Sequence, residues 1–274
     1  MSKPYDYENV LINIDKGIAW VSLNRPDKRN AMSPALNHDM VEVLSRLETD
    51  ADVGVVVLGG EGKGWTAGMD LSLFFRDLDD KPVERAVAHR ETNQWRWNHL
   101  YTFSKPTIAM VHGFCFGGGF TQLIACDFAI AAEDAVFGLS EVNWGIIPAG
   151  IVSKALMDCI PYRDALDLCL TGRTFDGKEA DRMRLITRAV PADALRAETE
   201  KLARSLLKLN PEALRGTKQA LKVSRGMSYD QAGDYLAAKF AEQKFRDVEG
   251  GYAKGISQFI DEKSYRPAFE AYSR

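Results

Sequence analysis

Two glycine-containing turns, each following an apolar segment, constrain the fold of this chain more than any other feature. The apolar segment at 106–111 predicts a buried strand, and it precedes the glycine triplet 117–119 and a helical pattern over 120–125. Upstream, the apolar segment 53–58 precedes the turn sequence of residues 65–70. A strand that enters a helix through glycine leaves backbone N–H groups unpaired and directed at one point. Such a point suits an anion or a developing oxyanion, although either turn taken singly is also explained by packing.

The order of the predicted elements favours an α/β fold. Segments 10–14 and 18–23 alternate around Asp15-Lys16-Gly17 and predict a hairpin, and Ser33 with Pro34 predicts the start of a helix. Together with the strand near 54–58, the order is strand, strand, helix, strand. From Tyr162 onward the pattern is mostly helical, so we predict a core over 1–191 and a C-terminal helical region over 192–274.

Composition and charge narrow the class of protein. The 274 residues carry a net charge of −3, which provides no basic surface for a nucleic acid. No apolar run reaches the roughly 20 residues of a membrane span, and the first ten residues contain no apolar signal core, so we expect a cytoplasmic protein. The cysteines are widely spaced and predict reduced, buried thiols, and no histidine spacing predicts a metal site. These residues are Cys115, Cys126, Cys159, Cys169, His38, His89, His99 and His112.

Four motifs resemble those of the crotonase (enoyl-CoA hydratase/isomerase) superfamily. They are TAGMDL, GFCFGGGF and SEVNWGI, with LNRPDKRNAMS upstream. The resemblance extends from about Val10 to the C-terminal end, and within the superfamily it is greatest to the hydroxycinnamoyl-CoA hydratase-lyases. It implies a crotonase-like ββα spiral core, C-terminal helices used in oligomerisation, and a homotrimer or homohexamer. The substrate implied is an acyl-CoA thioester, with no cofactor apart from the coenzyme A of the substrate itself.

The resemblance also implies roles for four residues at the reacting atoms. The backbone N–H groups of Met69 and Gly118 would hold the thioester oxygen, and Glu141 would be the general acid and base. Ordinary enoyl-CoA hydratases have a second glutamate two residues after the glycine triplet, where this chain has Thr121. A threonine can hold water by a hydrogen bond but cannot take its proton at neutral pH.

The absence of a second carboxylate at position 121 indicates which substrate to expect. A 4-hydroxyphenyl group on the substrate can activate the β-carbon of the acyl chain in place of that carboxylate. The resemblance therefore implies hydration of 4-hydroxycinnamoyl-CoA thioesters, namely feruloyl-, coumaroyl- and caffeoyl-CoA. A retro-aldol step would then give an aromatic aldehyde of the vanillin type and acetyl-CoA. The alternatives are a single-glutamate hydratase or isomerase without carbon–carbon cleavage, and a non-catalytic binding protein on the same fold. The net negative charge of the chain and the presence of Glu141 argue against a non-catalytic binding protein.

The remaining candidate residues are assigned by resemblance to the two ends of the substrate. For the acyl end they are Tyr235, Phe74 and Trp144, with Phe75 beside Phe74. For coenzyme A they are Lys28, Arg29, Ala31, Ala67, Phe259 and Lys263, the last two reaching a neighbouring subunit's nucleotide. Phe74 stands where the hydratase-lyases have a second phenol-binding tyrosine, so one hydrogen bond is missing. Read without the resemblance, the aromatic residues fit packing and the basic residues fit a solvated surface.

Overall fold

Two sheets organise the chain in a computed structural model that describes residues 5–267 and 270–274. The strands are β1 Val10–Asp15, β2 Ile18–Leu23, β3 Val55–Gly60, β4 Thr107–Val111, β5 Phe114–Phe116, β6 Phe128–Ala132, β7 Val136–Gly138, β8 Thr174–Phe175 and β9 Arg188–Val190. One sheet has the order β1-β2-β3-β4-β6-β9 and the other the order β5-β7-β8. All pairs of the larger sheet except β1–β2 are parallel.

The α-helices cover these sheets and form the C-terminal region. They are α1 Pro34–Thr49, α2 Pro82–Asn93, α3 Leu100–Thr102, α4 Gly119–Ala125, α5 Val152–Cys159, α6 Tyr162–Thr171, α7 Gly177–Arg182, α8 Leu195–Leu207, α9 Pro211–Ser224, α10 Tyr229–Arg246 and α11 Gly251–Ile256. Short 3-10 or π-helical turns occupy Pro26–Lys28, Leu71–Phe75, Arg76–Leu78, Gln94–His99, Glu141–Trp144, Ala192–Ala194 and Ser257–Asp261. The α/β fold class is thereby confirmed.

The first strands and the first helix form as the sequence predicts. Lys16 and Gly17 both have positive φ, 47° and 87°, which is the turn geometry that matches the twist of a hairpin. The hydroxyl of Ser33 accepts a hydrogen bond from the N–H of Leu36 at 3.2 Å and so caps α1. The central strand β3 is apolar and buried along most of its length, as expected for a parallel strand with both faces covered.

The glycine triplet does not follow the strand that the sequence analysis predicted. The chain leaves β4, turns at Gly113 with φ +63°, and forms the short strand β5 in the second sheet before it reaches Gly117. A Cβ on Gly113 would lie 1.9 Å from the carbonyl oxygen of Lys63, so only glycine allows this close crossing. The turn therefore belongs to the smaller sheet, which the period of the apolar residues did not predict.

The segment between Asp70 and Phe103 contains two π-helical turns, Leu71–Phe75 and Gln94–His99. Pro82 begins α2, at the position where its missing N–H costs nothing. The aromatic residues of this segment include Trp95, which is fully buried and donates to the side chain of Asn37 at 2.8 Å. Trp95, Leu100 and Phe103 belong to the hydrophobic core, and the turn Gln94–His99 contacts α1 and α4.

The helices after Pro191 are divided between the core and the surface. α8 packs on the larger sheet through Leu195, Ala203 and Leu206, although it lies beyond the predicted boundary. α10, in contrast, buries no residue within one chain. The boundary itself stays a prediction. Among the described residues, no helix combines the length and the apolar character that crossing a bilayer requires.

Candidate active site

The turn after β3 is held between two other segments of the chain. Its Thr66 donates to the carbonyl oxygen of Asn30 at 2.7 Å and accepts from the N–H of Gly68 at 3.1 Å. Gly68 has φ +90°, and a Cβ there would lie 2.7 Å from the carbonyl oxygen of Phe116. Glycine is therefore required at position 68 both by its backbone angle and by the close approach of β5.

Backbone pairing leaves the N–H of Met69 available. Met32 donates its N–H to Gly68 at 2.8 Å and accepts from the N–H of Asp70 at 3.1 Å. In a parallel bridge of this kind, the residue between the two bonded neighbours turns its own N–H to the opposite side. Within the described part of the chain, no acceptor for the N–H of Met69 is recorded.

The glycine triplet presents a second N–H beside the first. Gly117 has φ +49° and donates to Gly138 at 3.0 Å, while the carbonyl of Gly118 accepts the first helical bond of α4. The N–H of Gly118 has no recorded acceptor among the described residues. A Cβ on Gly68 would lie 3.3 Å from this nitrogen, and one on Gly118 would lie 3.0 Å from Cγ of Met69. The turns predicted at 65–70 and 117–119 thus meet, with two free donors side by side.

A cavity of about 480 Å³ opens over these two donors, within the usual size range of small-molecule sites. Nine of the predicted site residues line it: Lys28, Arg29, Ala31, Ala67, Met69, Phe75, Gly118, Glu141 and Trp144. Residues that the prediction missed also line it: Asp70, Leu71, Phe116, Gly117, Ser140 and Ile146. Ser140 precedes Glu141 and Gly117 precedes Gly118, so adjacency to predicted residues was the available signal for these two.

Glu141 faces the same cavity from a short helical turn after β7. Its Oε1 would lie 3.1 Å from a Cβ on Gly117, which places the carboxylate against the glycine turn. Its Oε2 is buried and has no hydrogen-bond partner among the described residues. Burial raises the pKa of the Glu141 carboxyl above its ordinary value, because the charged form loses hydration. A raised pKa makes the carboxyl a better proton acceptor when it is charged and keeps it able to donate once it is protonated.

The entrance of the cavity carries positive charge and exposed apolar surface. Lys28 and Arg29 are exposed there, and no ion pair is recorded for either within residues 5–267 and 270–274. The carbonyl of Arg29 accepts a hydrogen bond from the N–H of Ala67 at 2.9 Å. This bond links the segment that carries Lys28 and Arg29 to the turn at residues 65–70. Trp144 is 67% exposed at the opposite side. This arrangement suits a ligand with an anionic end and an apolar end.

Thr121 is not one of the residues that line the cavity. It is 1% exposed within α4, and its Oγ1 is buried without a hydrogen-bond partner in the part of the chain that the structure describes. The absence of a partner is notable since a buried hydroxyl normally finds one. Its predicted role beside the attacking water stays a prediction.

Four other predicted residues do not line the cavity in a single chain. Phe74 is 2% exposed and packs against the ring of His89, with 4.8 Å between ring centroids, in an adjacent cavity of about 540 Å³. Its neighbour Phe75 lines both cavities. Tyr235 lies on α10, with the ammonium group of Lys239 5.6 Å from its ring centroid. Phe259 lines a C-terminal cavity, and Lys263 is exposed nearby.

Asp70 and Arg25 form a further part of the site that the prediction missed. The carboxylate of Asp70 accepts from the N–H groups of Ser72 and Leu73 at 3.2 and 3.0 Å, and it pairs with Arg25 at 3.0 Å. Asp70 therefore starts the π-helical turn that carries Phe74. No group of three metal-ligating side chains occurs in the described ranges.

The geometry can be compared with that of known proteins. The family model described as enoyl-CoA hydratase/isomerase matches residues 13–270. The chain belongs to the enoyl-CoA hydratase/isomerase family. It is 49% identical over 269 residues to a hydroxycinnamoyl-CoA hydratase-lyase of Pseudomonas fluorescens, covering 98% of both chains. It is 30% identical to a 2,3-dehydroadipyl-CoA hydratase of Escherichia coli, covering 93% of this chain and 96% of that one.

Solved structures of the family have the same fold. A crystal structure of an enoyl-CoA hydratase from Bacillus anthracis matches with a TM-score of 0.83 and 26% identity, covering 93% of this chain and 96% of that one. The predicted resemblance to the crotonase superfamily is thereby confirmed. An acyl-CoA thioester is the class of substrate that membership of this family supports.

Proposed function

We propose that this chain hydrates a 4-hydroxycinnamoyl-CoA thioester and then cleaves the product to an aromatic aldehyde and acetyl-CoA. One observation carries the proposal. Two adjacent free N–H groups, of Met69 and Gly118, share a cavity with the carboxylate of Glu141, while a threonine stands at position 121. The other carboxylate that lines the cavity, Asp70, is already paired with Arg25. The 49% identity to a hydratase-lyase over nearly the whole chain supports the same activity.

In the hydration step, the oxygen of a water molecule bonds to the β-carbon. One water proton passes through Glu141 to the α-carbon, and the thioester oxygen carries negative charge in between. The N–H groups of Met69 and Gly118 stabilise that charge where bulk water does not compete. Electron donation from the para-oxygen of the ring substitutes for a second carboxylate, consistent with Thr121.

In the cleavage step, Glu141 accepts the proton of the β-hydroxyl group. The bond between the α- and β-carbons breaks, and its electron pair enters the thioester enolate, which the same two N–H groups hold. Return of the proton to the α-carbon completes acetyl-CoA, and the aldehyde leaves. The atoms balance as thioester plus water giving aldehyde plus acetyl-CoA, so we propose no cofactor beyond the coenzyme A of the substrate.

The coenzyme A end of the substrate is assigned to the basic side of the cavity. Lys28 and Arg29 would pair with its phosphate groups, and the backbone at Ala31 and Ala67 would contact its adenine and pantetheine. Trp144 would pack against the acyl end. We also propose that the enzyme works in the cytoplasm, where coenzyme A thioesters are made and consumed.

Assembly is the second part of the proposal. Tyr235, Phe259 and Lys263 do not line the cavity of their own chain, and several large apolar side chains near them are exposed, among them Phe245 at 90%. We therefore propose a homotrimer or homohexamer in which these residues contact substrate bound to a neighbouring chain. The ring oxygen of the substrate would then meet Tyr235, while Phe74 packs behind the acyl wall.

A single-glutamate hydratase without cleavage is the second candidate, favoured by Phe74 standing in place of a tyrosine. Incubation of the purified enzyme with feruloyl-CoA distinguishes the two. The lyase releases vanillin and acetyl-CoA in equal amounts, measured by chromatography, and hydrates crotonyl-CoA poorly. Accumulation of the β-hydroxyacyl thioester without aldehyde would support the second candidate, and no turnover of either thioester would contradict both.

A further inference from the structure

A buried arginine lies directly behind the proposed oxyanion site. Arg96 belongs to the π-helical turn Gln94–His99 and is 5% exposed. Its Nη1 donates to the carbonyl oxygen of Gly118 at 2.8 Å, and its Nε donates to that of Thr92 at 3.3 Å. The guanidinium group therefore contacts the residue whose N–H completes the oxyanion site.

The positive charge of Arg96 has no negative partner in the described part of the chain, where no ion pair of this residue is recorded. Burial lowers the pKa of its guanidinium to about 10, so the group stays charged at neutral pH. Nearby His89 cannot balance it, because an imidazole is either neutral or positively charged. Burial and the charges of Arg85 and Arg96 lower the pKa of His89, which favours its neutral form. A buried charge without a partner carries a large desolvation cost, which evolution seldom retains for packing alone.

The position of Arg96 relates that charge to both donors. A Cβ on Gly118 would lie 2.9 Å from Nη1 of Arg96 and 3.0 Å from Cγ of Met69, so all three residues meet at one point. The hydrogen bond to the carbonyl of Gly118 restrains the peptide group between Gly118 and Gly119. Through the shared Cα atom it also limits how far the N–H of Gly118 can turn. A fixed, buried cation beside these donors favours negative charge on a ligand bound there.

We propose that Arg96 is a positioning residue that holds Gly118 in place and whose charge is balanced by the thioester enolate formed during the reaction. The ground-state thioester is neutral at its carbonyl oxygen, so Arg96 favours the charged intermediate over the bound substrate. This inference rests on the proposed oxyanion role of Met69 and Gly118. A side chain that only packed, or only donated a hydrogen bond, would have no such preference for charge.

The test uses acetoacetyl-CoA, whose enolate resembles the intermediate and absorbs in the near ultraviolet. Bound to the wild-type enzyme, it should ionise at a lower pH than in free solution. Two variants test the charge. Arg96→Lys keeps a cation and a donor, whereas Arg96→Gln removes the charge and leaves a neutral amide donor on a shorter side chain, and the enolate fraction reports on the charge directly. Arg90→Gln, at an exposed position on α2, is the matched control.

We expect Arg96→Gln to lower kcat by roughly 10- to 100-fold with little change in KM, somewhat less than the direct loss of an oxyanion donor. The enolate fraction of bound acetoacetyl-CoA should fall with it. Arg96→Lys should recover most of both, and Arg90→Gln should match the wild type. A neutral variant with wild-type kcat and enolate fraction, whatever its melting temperature, would overturn the proposal.

The same measurements separate this inference from the proposed function. If the wild-type enzyme binds acetoacetyl-CoA without favouring its enolate, the oxyanion role of Met69 and Gly118 fails. If the wild type favours the enolate and Arg96→Gln does so equally, only the role of Arg96 fails. If Arg96→Gln does not fold, Arg96→Lys alone tests the proposal. Arg96→Lys keeps the positive charge, so its enolate fraction should stay close to that of the control Arg90→Gln. An enolate fraction lower than the control's by tenfold or more would contradict the proposal that the charge of Arg96 favours the enolate.

Discussion

Glu141 is the residue on which both proposed steps depend, since Asp70, the other carboxylate that lines the cavity, is held in an ion pair with Arg25. We predict that Glu141→Gln folds normally and lowers hydration and cleavage by at least about 100-fold, the usual range for a general acid and base. Circular dichroism checks the fold, and aldehyde release from feruloyl-CoA checks the activity. Activity above one-tenth of the wild-type value would remove Glu141 from this role.

The raised pKa of the Glu141 carboxyl also predicts a pH dependence of stability. The folded state holds this proton more tightly than the unfolded state, so raising the pH above the ordinary glutamate value of 4.5 opposes folding until the folded-state pKa is passed. The melting temperature of the wild type should therefore fall relative to that of Glu141→Gln over this window. Glu84→Gln, at an exposed position, is the control, and its melting temperature should change with pH as that of the wild type does.

Thr121 provides a test of how water is activated. Its hydroxyl is buried without a partner, so Thr121→Val should raise stability by about 1 kcal/mol if the group is merely unsatisfied. If the hydroxyl holds the attacking water, the same change should instead slow hydration without stabilising the fold. Thermal unfolding and initial hydration rates, measured on one preparation, distinguish the two outcomes.

Converting Thr121 to glutamate tests the link between this position and the substrate. Thr121→Glu should improve hydration of cinnamoyl-CoA relative to feruloyl-CoA, because a second carboxylate reduces the need for a para-oxygen. Burial of the new carboxyl should lower the melting temperature. An unchanged ratio of kcat/KM between the two thioesters, in a folded variant, would show that position 121 does not border the water.

At the scale of elements, the two glycine turns decide whether the donors converge. Gly68→Ala should cost about 1–3 kcal/mol, since φ is +90° and the new Cβ would lie 2.7 Å from the Phe116 oxygen. The folded variant should also have a lower kcat than the wild type, because the N–H of Met69 moves. Gly216→Ala in α9, whose new Cβ would lie 3.6 Å from the side chain of Gln243, should add about 0.5–1 kcal/mol and leave kcat unchanged. Chemical denaturation and kcat measure both.

Helix α10 behaves as a surface that is incomplete in one chain. Eighteen residues form it, none is buried, and Phe240 and Phe245 are exposed. An amphipathic helix of this length ordinarily buries one face. We infer that its apolar side chains are covered in the assembly, which leads to the prediction at the scale of the whole molecule.

For the whole molecule, we predict an oligomer in which Tyr235 serves a neighbouring cavity. Phe245→Ser should shift the species seen by sedimentation velocity toward the monomer, whereas the exposed Val83→Ser on α2 should not. Mixed oligomers refolded from Glu141→Gln and Tyr235→Phe chains should regain cleavage activity that neither homo-oligomer has. A monomeric wild type, or mixtures no more active than their components, would contradict the shared site.

The sequence by itself determined the parts of this protein that depend on local chemistry. The hairpin follows from Lys16-Gly17, and the start of α1 follows from Ser33-Pro34. The two turns that carry the free N–H groups follow from glycines at positions where a positive φ or a close approach of the backbone excludes a side chain. The motif around Glu141 identified the residue that the structure brings to the cavity. These signals are short-range, so neighbours in the chain were enough to predict them.

Only the tertiary structure decided what depends on residues distant in sequence. β5 pairs with β7, which lies some twenty residues further along the chain, so no local pattern could assign β5 to the second sheet. Phe74 packs on His89 instead of facing the main cavity. Arg96 reaches Gly118 from a polar segment in which nothing local marks it as buried. Burial and partnership are set by the whole chain's packing, and the charge of Arg96 becomes significant only once that packing has removed it from water.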